Sequence, residues 1–124
     1  MTLEQVLQKK NFVVMGNTLE AGKPAREIKE KLLSYGYSVQ CVGKELASLN
    51  EVSGYIDVLD LCIHPVKGLK LLQECKKEIG FVVIQPGAES PELCAWLEKT
   101  GQPYRHGCLL VAMRLYAGDR AVWD

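Results

Sequence analysis

The residues best placed for chemistry lie in a loop. Gly16-Asn17-Thr18-Leu19-Glu20-Ala21-Gly22-Lys23 follows an apolar run and precedes Pro24. A loop passing from a buried strand into a helix offers unpaired N–H groups and the positive end of the helix dipole to an anion. A phosphate therefore fits between Gly16 and Lys23, and a side chain at Gly16 would keep it from the backbone. The spacing is not G-x-G-x-x-G. As a P-loop it brings Gly22-Lys23-Pro24 one residue late and lacks the Ser or Thr that holds magnesium. Kinase and ATPase chemistry are disfavoured; the plain alternative is a glycine turn with a solvated Lys23.

Three further pieces fall at strand ends. Dinucleotide sites usually carry an Asp or Glu after the second strand for the ribose hydroxyls, whereas Gly43 and Lys44 stand there. A cation suits a phosphorylated ribose, which favours coenzyme A or NADP over NAD, unless Lys44 is simply solvated. Gln85-Pro86-Gly87-Ala88-Glu89-Ser90 is a second anion-friendly turn, in which Ser90 also serves as a helix cap. Cys62 with His64, and His106 with Cys108, are each two apart, so each pair shares a side of its strand. Neither pair has a visible orienting Asp or Asn, so both read as structural, and only His64, at a carboxyl strand end, is placed to touch a ligand. No paired carboxylates and no Cys/His set at metal-ligand spacing stand out.

These loops need a scaffold, and the apolar pattern supplies one. Thr2 and Gln5 form a capping box for an N-terminal helix over residues 1–10, expected across the sheet edge. Phe12–Met15, Ser38–Val42, Val58–Ile63, Phe81–Ile84 and Tyr104–His106 read as strands. Helices follow at Pro24–Gly36, from Lys44 to about Tyr55 (Leu46, Leu49, Val52), at Pro65–Gly80, at Ser90–Gly101 and over Leu109–Tyr116. Strand and helix alternate, which predicts a single α/β domain over residues 1–124, with a doubly wound, five-stranded parallel sheet in the Rossmann-like order 3-2-1-4-5. Ligands of such sheets lie at the carboxyl ends of the strands where the order reverses. That rule puts the site between the loops after strands 1 and 4, flanked by Gly43-Lys44 and His64-Pro65.

Composition narrows the classes of partner. The chain has 124 residues, and its fifteen basic residues cancel fifteen acidic ones. No overall field exists to hold nucleic acid or an anionic membrane. No apolar run is long enough to cross a bilayer, and no signal-peptide core opens the chain, so a cytoplasmic protein is expected. The five scattered cysteines read as reduced, unmetallated thiols. A homodimer is left open.

Taken in order, the motifs resemble the CoA-binding domain family, small stand-alone proteins similar to the nucleotide-binding domain of succinyl-CoA synthetase alpha subunits. The match runs through Gly16-Asn17-Thr18, Lys23-Pro24-Ala25, Leu33-Ser34-Tyr35-Gly36-Tyr37-Ser38-Val39, Ile56-Asp57-Val58-Leu59-Asp60, His64-Pro65, Ile84-Gln85-Pro86-Gly87-Ala88 and Gly107-Cys108. The resemblance implies coenzyme A bound through the loops after strands 1 to 4. Gly16, Asn17, Thr18 and Lys23 would lie by the pyrophosphate, Gly43 and Lys44 by the adenosine, and His64 and Pro65 beside the pantetheine arm. It brings no catalytic set. The family usually has Val-Asn-Pro after strand 2, where this chain has Val42-Gly43-Lys44, and its segment before strand 3 is longer. The expected function is binding of coenzyme A or an acyl-CoA as a non-catalytic binding or regulatory module. The alternatives are a small NADP-dependent oxidoreductase, an acyl-transfer protein using Cys62 or Cys108, and a scaffold for protein interaction.

Overall fold

The computed structural model describes residues 1–117. Runs rich in Val, Ile and Leu form strands here because both faces of each run are covered. The strands are β1 (Asn11–Gly16), β2 (Ser38–Gly43), β3 (Ile56–Cys62), β4 (Ile79–Ile84) and a short β5 (Tyr104–His106). All pair in parallel, as the alternation predicts. The helices are α1 (Leu3–Val6), α2 (Pro24–Ser34), α3 (Pro65–Glu74), α4 (Pro91–Thr100) and α5 (Leu109–Ala112), the last running on as a π turn through Met113–Ala117. Proline opens α2, α3 and α4, where its missing N–H costs nothing.

The doubly wound α/β class is as expected, but the strand order is β2-β1-β3-β4-β5 rather than 3-2-1-4-5. Two buried layers explain the difference. Phe12, Val14, Val58, Phe81 and Val83 face α2 and α5, packing with Ile28, Leu32, Leu109 and Met113. Val13, Met15, Leu59, Leu61, Val82 and Ile84 face the other way, packing with α3 and α4 through Leu71, Leu72, Leu93 and Leu97. The β2–β3 connector buries Leu49 and Val52 in this second layer, opposite α2. A right-handed crossover on that face must deliver β3 to the far side of β1. β2 is left at the edge, which suits its exposed Ser38 and half-buried Gln40.

Three local expectations are corrected. The connector holds one 3₁₀ turn, Leu49–Glu51, capped by Ser48, and not a helix over 44–55. It is pinned instead by side chains: Gln40 bonds Ser53, and Asn50 bonds the Glu74 carbonyl and the Lys76 N–H. Helix α3 ends at Glu74 and not near Gly80, because Ile79 pairs with Ile56 as the first residue of β4. Helix α1 is shorter than residues 1–10. It packs against α5 with Val6 and Leu7 in the first layer, and the Tyr37 hydroxyl donates to the Leu7 carbonyl.

Candidate functional site

With β3 beside β1, the order reverses between those two strands, so the loop after β3 lies next to the loop after β1. A crevice of about 250 Å³ opens there, lined by Asn17, Lys23, Pro24 and Ala25 after β1, Cys62, Ile63 and His64 after β3, and Pro86, Gly87 and Ala88 after β4. The sequence placed β4 as the immediate neighbour of β1; its loop does line the crevice, one strand further out.

The close approach of the loops depends on bare backbone. A Cβ at Gly16 would sit 2.3 Å from the Cys62 carbonyl oxygen and 2.9 Å from the Ala25 Cβ. Gly43 pairs with Gly16 at φ +124°, where its own Cβ would meet the Gly16 oxygen at 3.0 Å. These two glycines let β1, β2, β3 and α2 converge, and neither lines the crevice itself. Gly16 is thus needed for folding in its own right, beyond any approach of phosphate to its backbone.

Helix α2 points its N-terminus at the crevice with no side-chain cap at Lys23. Helix α3 is capped by His64, whose Nδ1 accepts from the Val66 N–H at 3.2 Å, and α4 by Ser90, whose Oγ accepts from the Leu93 N–H at 3.1 Å. The cap fixes the His64 tautomer, leaving the hydrogen on Nε2. His64 is exposed, and Pro65 beside it opens α3. Asn17 lines the crevice but bonds Glu20 in both directions, and Lys23 pairs with Glu20 at 3.8 Å.

Thr18 does not face the crevice. It is fully buried, and its Oγ1 donates to Glu45 Oε2 at 2.5 Å; the same oxygen accepts from Lys29 Nζ at 2.8 Å. Lys29, then Thr18, hold the Glu45 carboxyl below its ordinary value. The sequence missed Glu45, an acid two residues past the end of β2. Lys44, between them, is exposed and outside the crevice. At the β4 turn the Gly87 N–H donates to the chain's own Glu89 carboxylate at 2.8 Å, so an internal anion already sits on that turn.

The thiol–imidazole pairs read from spacing are not formed. Cys62 and His64 both line the crevice, but His64 caps α3. His106 faces Cys94 of α4, Nε2 to Sγ 3.9 Å, whereas Cys108, past the end of β5, takes the Gln85 amide at 3.5 Å. Gln85 in turn accepts the Leu109 N–H at 2.7 Å. Burial first, then Asp60 and Cys108, push the Cys62 thiol up to about 11. Asp60 lies two residues below Cys62 on the same face of β3, fully buried, with neither carboxylate oxygen hydrogen-bonded. Among the described residues no group of three or more His, Cys, Asp or Glu could hold a metal, and no helix is long and apolar enough to cross a membrane.

An open parallel sheet with an uncapped helix N-terminus at its switch point defines a doubly wound, Rossmann-like α/β domain. The sequence matches the CoA binding domain family over residues 10–114, and the chain belongs to that family. Membership supports coenzyme A binding in general. The fold is similar to that of a conserved hypothetical protein from Pyrococcus furiosus, 27% identical, TM-score 0.73, covering 83% of this chain and 98% of that one. It is also similar to a Thermus thermophilus protein, 24% identical, TM-score 0.78, covering 94% and 99%. A hypothetical protein from Pyrococcus horikoshii OT3, 18% identical, TM-score 0.78, covers 94% and 92%. No curated protein matches the chain.

Proposed function

We propose that the protein binds coenzyme A or an acyl-CoA at the carboxyl edge of its sheet and works as a non-catalytic binding or regulatory module. The observation that carries this reading is the N-terminus of α2, which opens on the β1/β3 crevice without a side-chain cap while α3 and α4 are each capped. Unpaired N–H groups and the helix dipole converge there on space for a pyrophosphate. Asn17 and Lys23 would flank it. His64, its Nε2–H free to donate, and Pro65 would border the pantetheine arm, with Pro86 and Gly87 on the opposite wall.

A thiol-based acyl transfer has less support. A nucleophilic cysteine needs thiolate character and an adjacent base, whereas Cys62 is held protonated by burial and Cys108 is engaged by Gln85. Titration calorimetry with coenzyme A, acetyl-CoA, NADP, NAD and ATP tests the reading. Heat from coenzyme A and acetyl-CoA, and little from NAD, is the expected pattern; saturable binding of NADP alone would replace it with the oxidoreductase alternative.

A further inference from the structure

Beside the crevice runs a second depression, between α3 and the β2–β3 connector. It measures about 640 Å³ and is lined by Ala47, His64, Val66, Lys67, Lys70, Leu71 and Glu74. We propose that this groove is the other half of the ligand site and takes the phosphorylated adenosine end of coenzyme A, with Lys67 and Lys70 holding the ribose phosphate. The proposal rests on the coenzyme A reading and extends it to residues that neither the motifs nor the family match assigns.

Size is the first argument. Ligand sites usually enclose about 300–1,000 Å³, and the crevice alone, at about 250 Å³, falls short for a molecule with a nucleotide at one end and a long arm at the other. His64 lines both depressions, so one ligand can pass from crevice to groove across a single side chain. The lining is the second argument. Val66 is 73% exposed, a large apolar side chain left in solvent on the first turn of a helix that buries Leu71 and Leu72. With Ala47 and Leu71 it forms an apolar strip on which a flat base can lie.

Charge is the third. Lys67 and Lys70 are three apart on α3 and so stand on one face, next to that strip. Neither forms an ion pair among the described residues. The carboxylate of Glu74 lies a turn beyond Lys70, which leaves the positive end of the groove nearer His64 and the crevice. Lys44, the cation the sequence offered for a ribose phosphate, lines neither depression. The phosphate reader therefore moves from the end of β2 to α3.

Titration calorimetry of the full chain with coenzyme A and with dephospho-coenzyme A, which lacks only the ribose phosphate, tests this. The wild type should prefer coenzyme A by about tenfold, or ~1.4 kcal/mol. Lys67→Ala/Lys70→Ala should bring the two ligands close to parity by weakening coenzyme A alone, with an unchanged denaturant midpoint because both side chains are exposed. Equal affinities in the wild type, or a full preference retained by the double variant, would overturn the groove assignment and leave coenzyme A binding standing. Failure of both ligands to bind the wild type would overturn the parent reading with it.

Discussion

Thr18 Oγ1 and Glu45 Oε2 lie 2.5 Å apart, joining the loop after β1 to the loop after β2 through a fully buried hydroxyl. The joint is charge-assisted, because Lys29 Nζ reaches the same oxygen at 2.8 Å. Thr18→Val leaves Glu45 without this donor and should cost about 1–3 kcal/mol. The pH behaviour follows from the sign of the shift. Glu45 titrates below its ordinary 4.5 in the folded chain, so its contribution is complete above that value and is lost as pH falls through the folded one. Denaturant midpoints from pH 7 down to pH 3 should fall less steeply in Glu45→Gln than in the wild type.

Gly16 and the Cys62 carbonyl give a second prediction. A Cβ 2.3 Å from a backbone oxygen cannot be absorbed by a flexible side chain, so β1 and β3 would have to move apart. Gly16→Ala should lower stability by at least ~1–3 kcal/mol. Gly22→Ala should be much milder: no heavy atom lies within 4 Å of the added Cβ, and only its φ of +87° resists. Thermal unfolding of the two variants side by side checks the order.

How far the sequence could go is visible in these residues. The strands, most helix starts and stops, and the convergence of Asn17, Lys23, His64, Pro86 and Gly87 follow from apolar periodicity, proline placement and the rule that ligands sit at carboxyl strand ends. The strand order does not follow from alternation alone, since right-handed crossovers allow both arrangements. The polar Ser38 and Gln40 were the available sign that β2 is an edge strand. Glu45 and Cys94 were not legible as parts of the site region, and Glu89 was read within its turn but not as the anion that occupies the Gly87 N–H. Thr18 and Glu45 are 27 residues apart, and His106 and Cys94 are 12 apart, so tertiary packing and not spacing brings them together.

The cysteines should differ in reactivity. Cys41 and Cys62 are pushed up to about 11, mainly by burial, Cys75 donates to the Lys77 carbonyl, and Cys108 is engaged by Gln85. Cys94 is partly exposed and faces the His106 imidazole, which can accept its proton. A substoichiometric disulfide reagent followed by peptide mass mapping should find Cys94 labelled first, and His106→Asn should slow that labelling. Labelling that begins at Cys62 would contradict the assignment.

Glu89 occupies the Gly87 N–H with its own carboxylate. If coenzyme A reaches the crevice wall formed by Pro86 and Gly87, that fixed negative charge opposes it. Glu89→Ala should therefore tighten binding by about two- to fivefold, matching the ~0.5–1 kcal/mol typical of a charge near a helix N-terminus. Calorimetry on wild type and variant decides, and weaker binding by the variant would show that Glu89 supports the wall.

Asp60 gives the last prediction, and its sign differs from that of Glu45. It is fully buried on β3 between the register partners Val14 and Val83, and neither oxygen has a hydrogen-bond partner. Burial raises its folded titration well above the ordinary 3.8. A carboxyl whose folded value is raised favours the folded state only while protonated, so its penalty grows as pH climbs from 3.8 toward the folded value. The wild type should lose stability from pH 4 to pH 8 through this group. Asp60→Asn keeps the shape, carries no charge at any pH and should remove that slope, gaining at least ~1 kcal/mol at pH 8 over the wild type. Urea midpoints of both proteins at pH 4, 6 and 8 measure it. Parallel midpoints across the range, with Asp60→Asn the less stable at each pH, would mean that Asp60 is charged and satisfied in the folded chain.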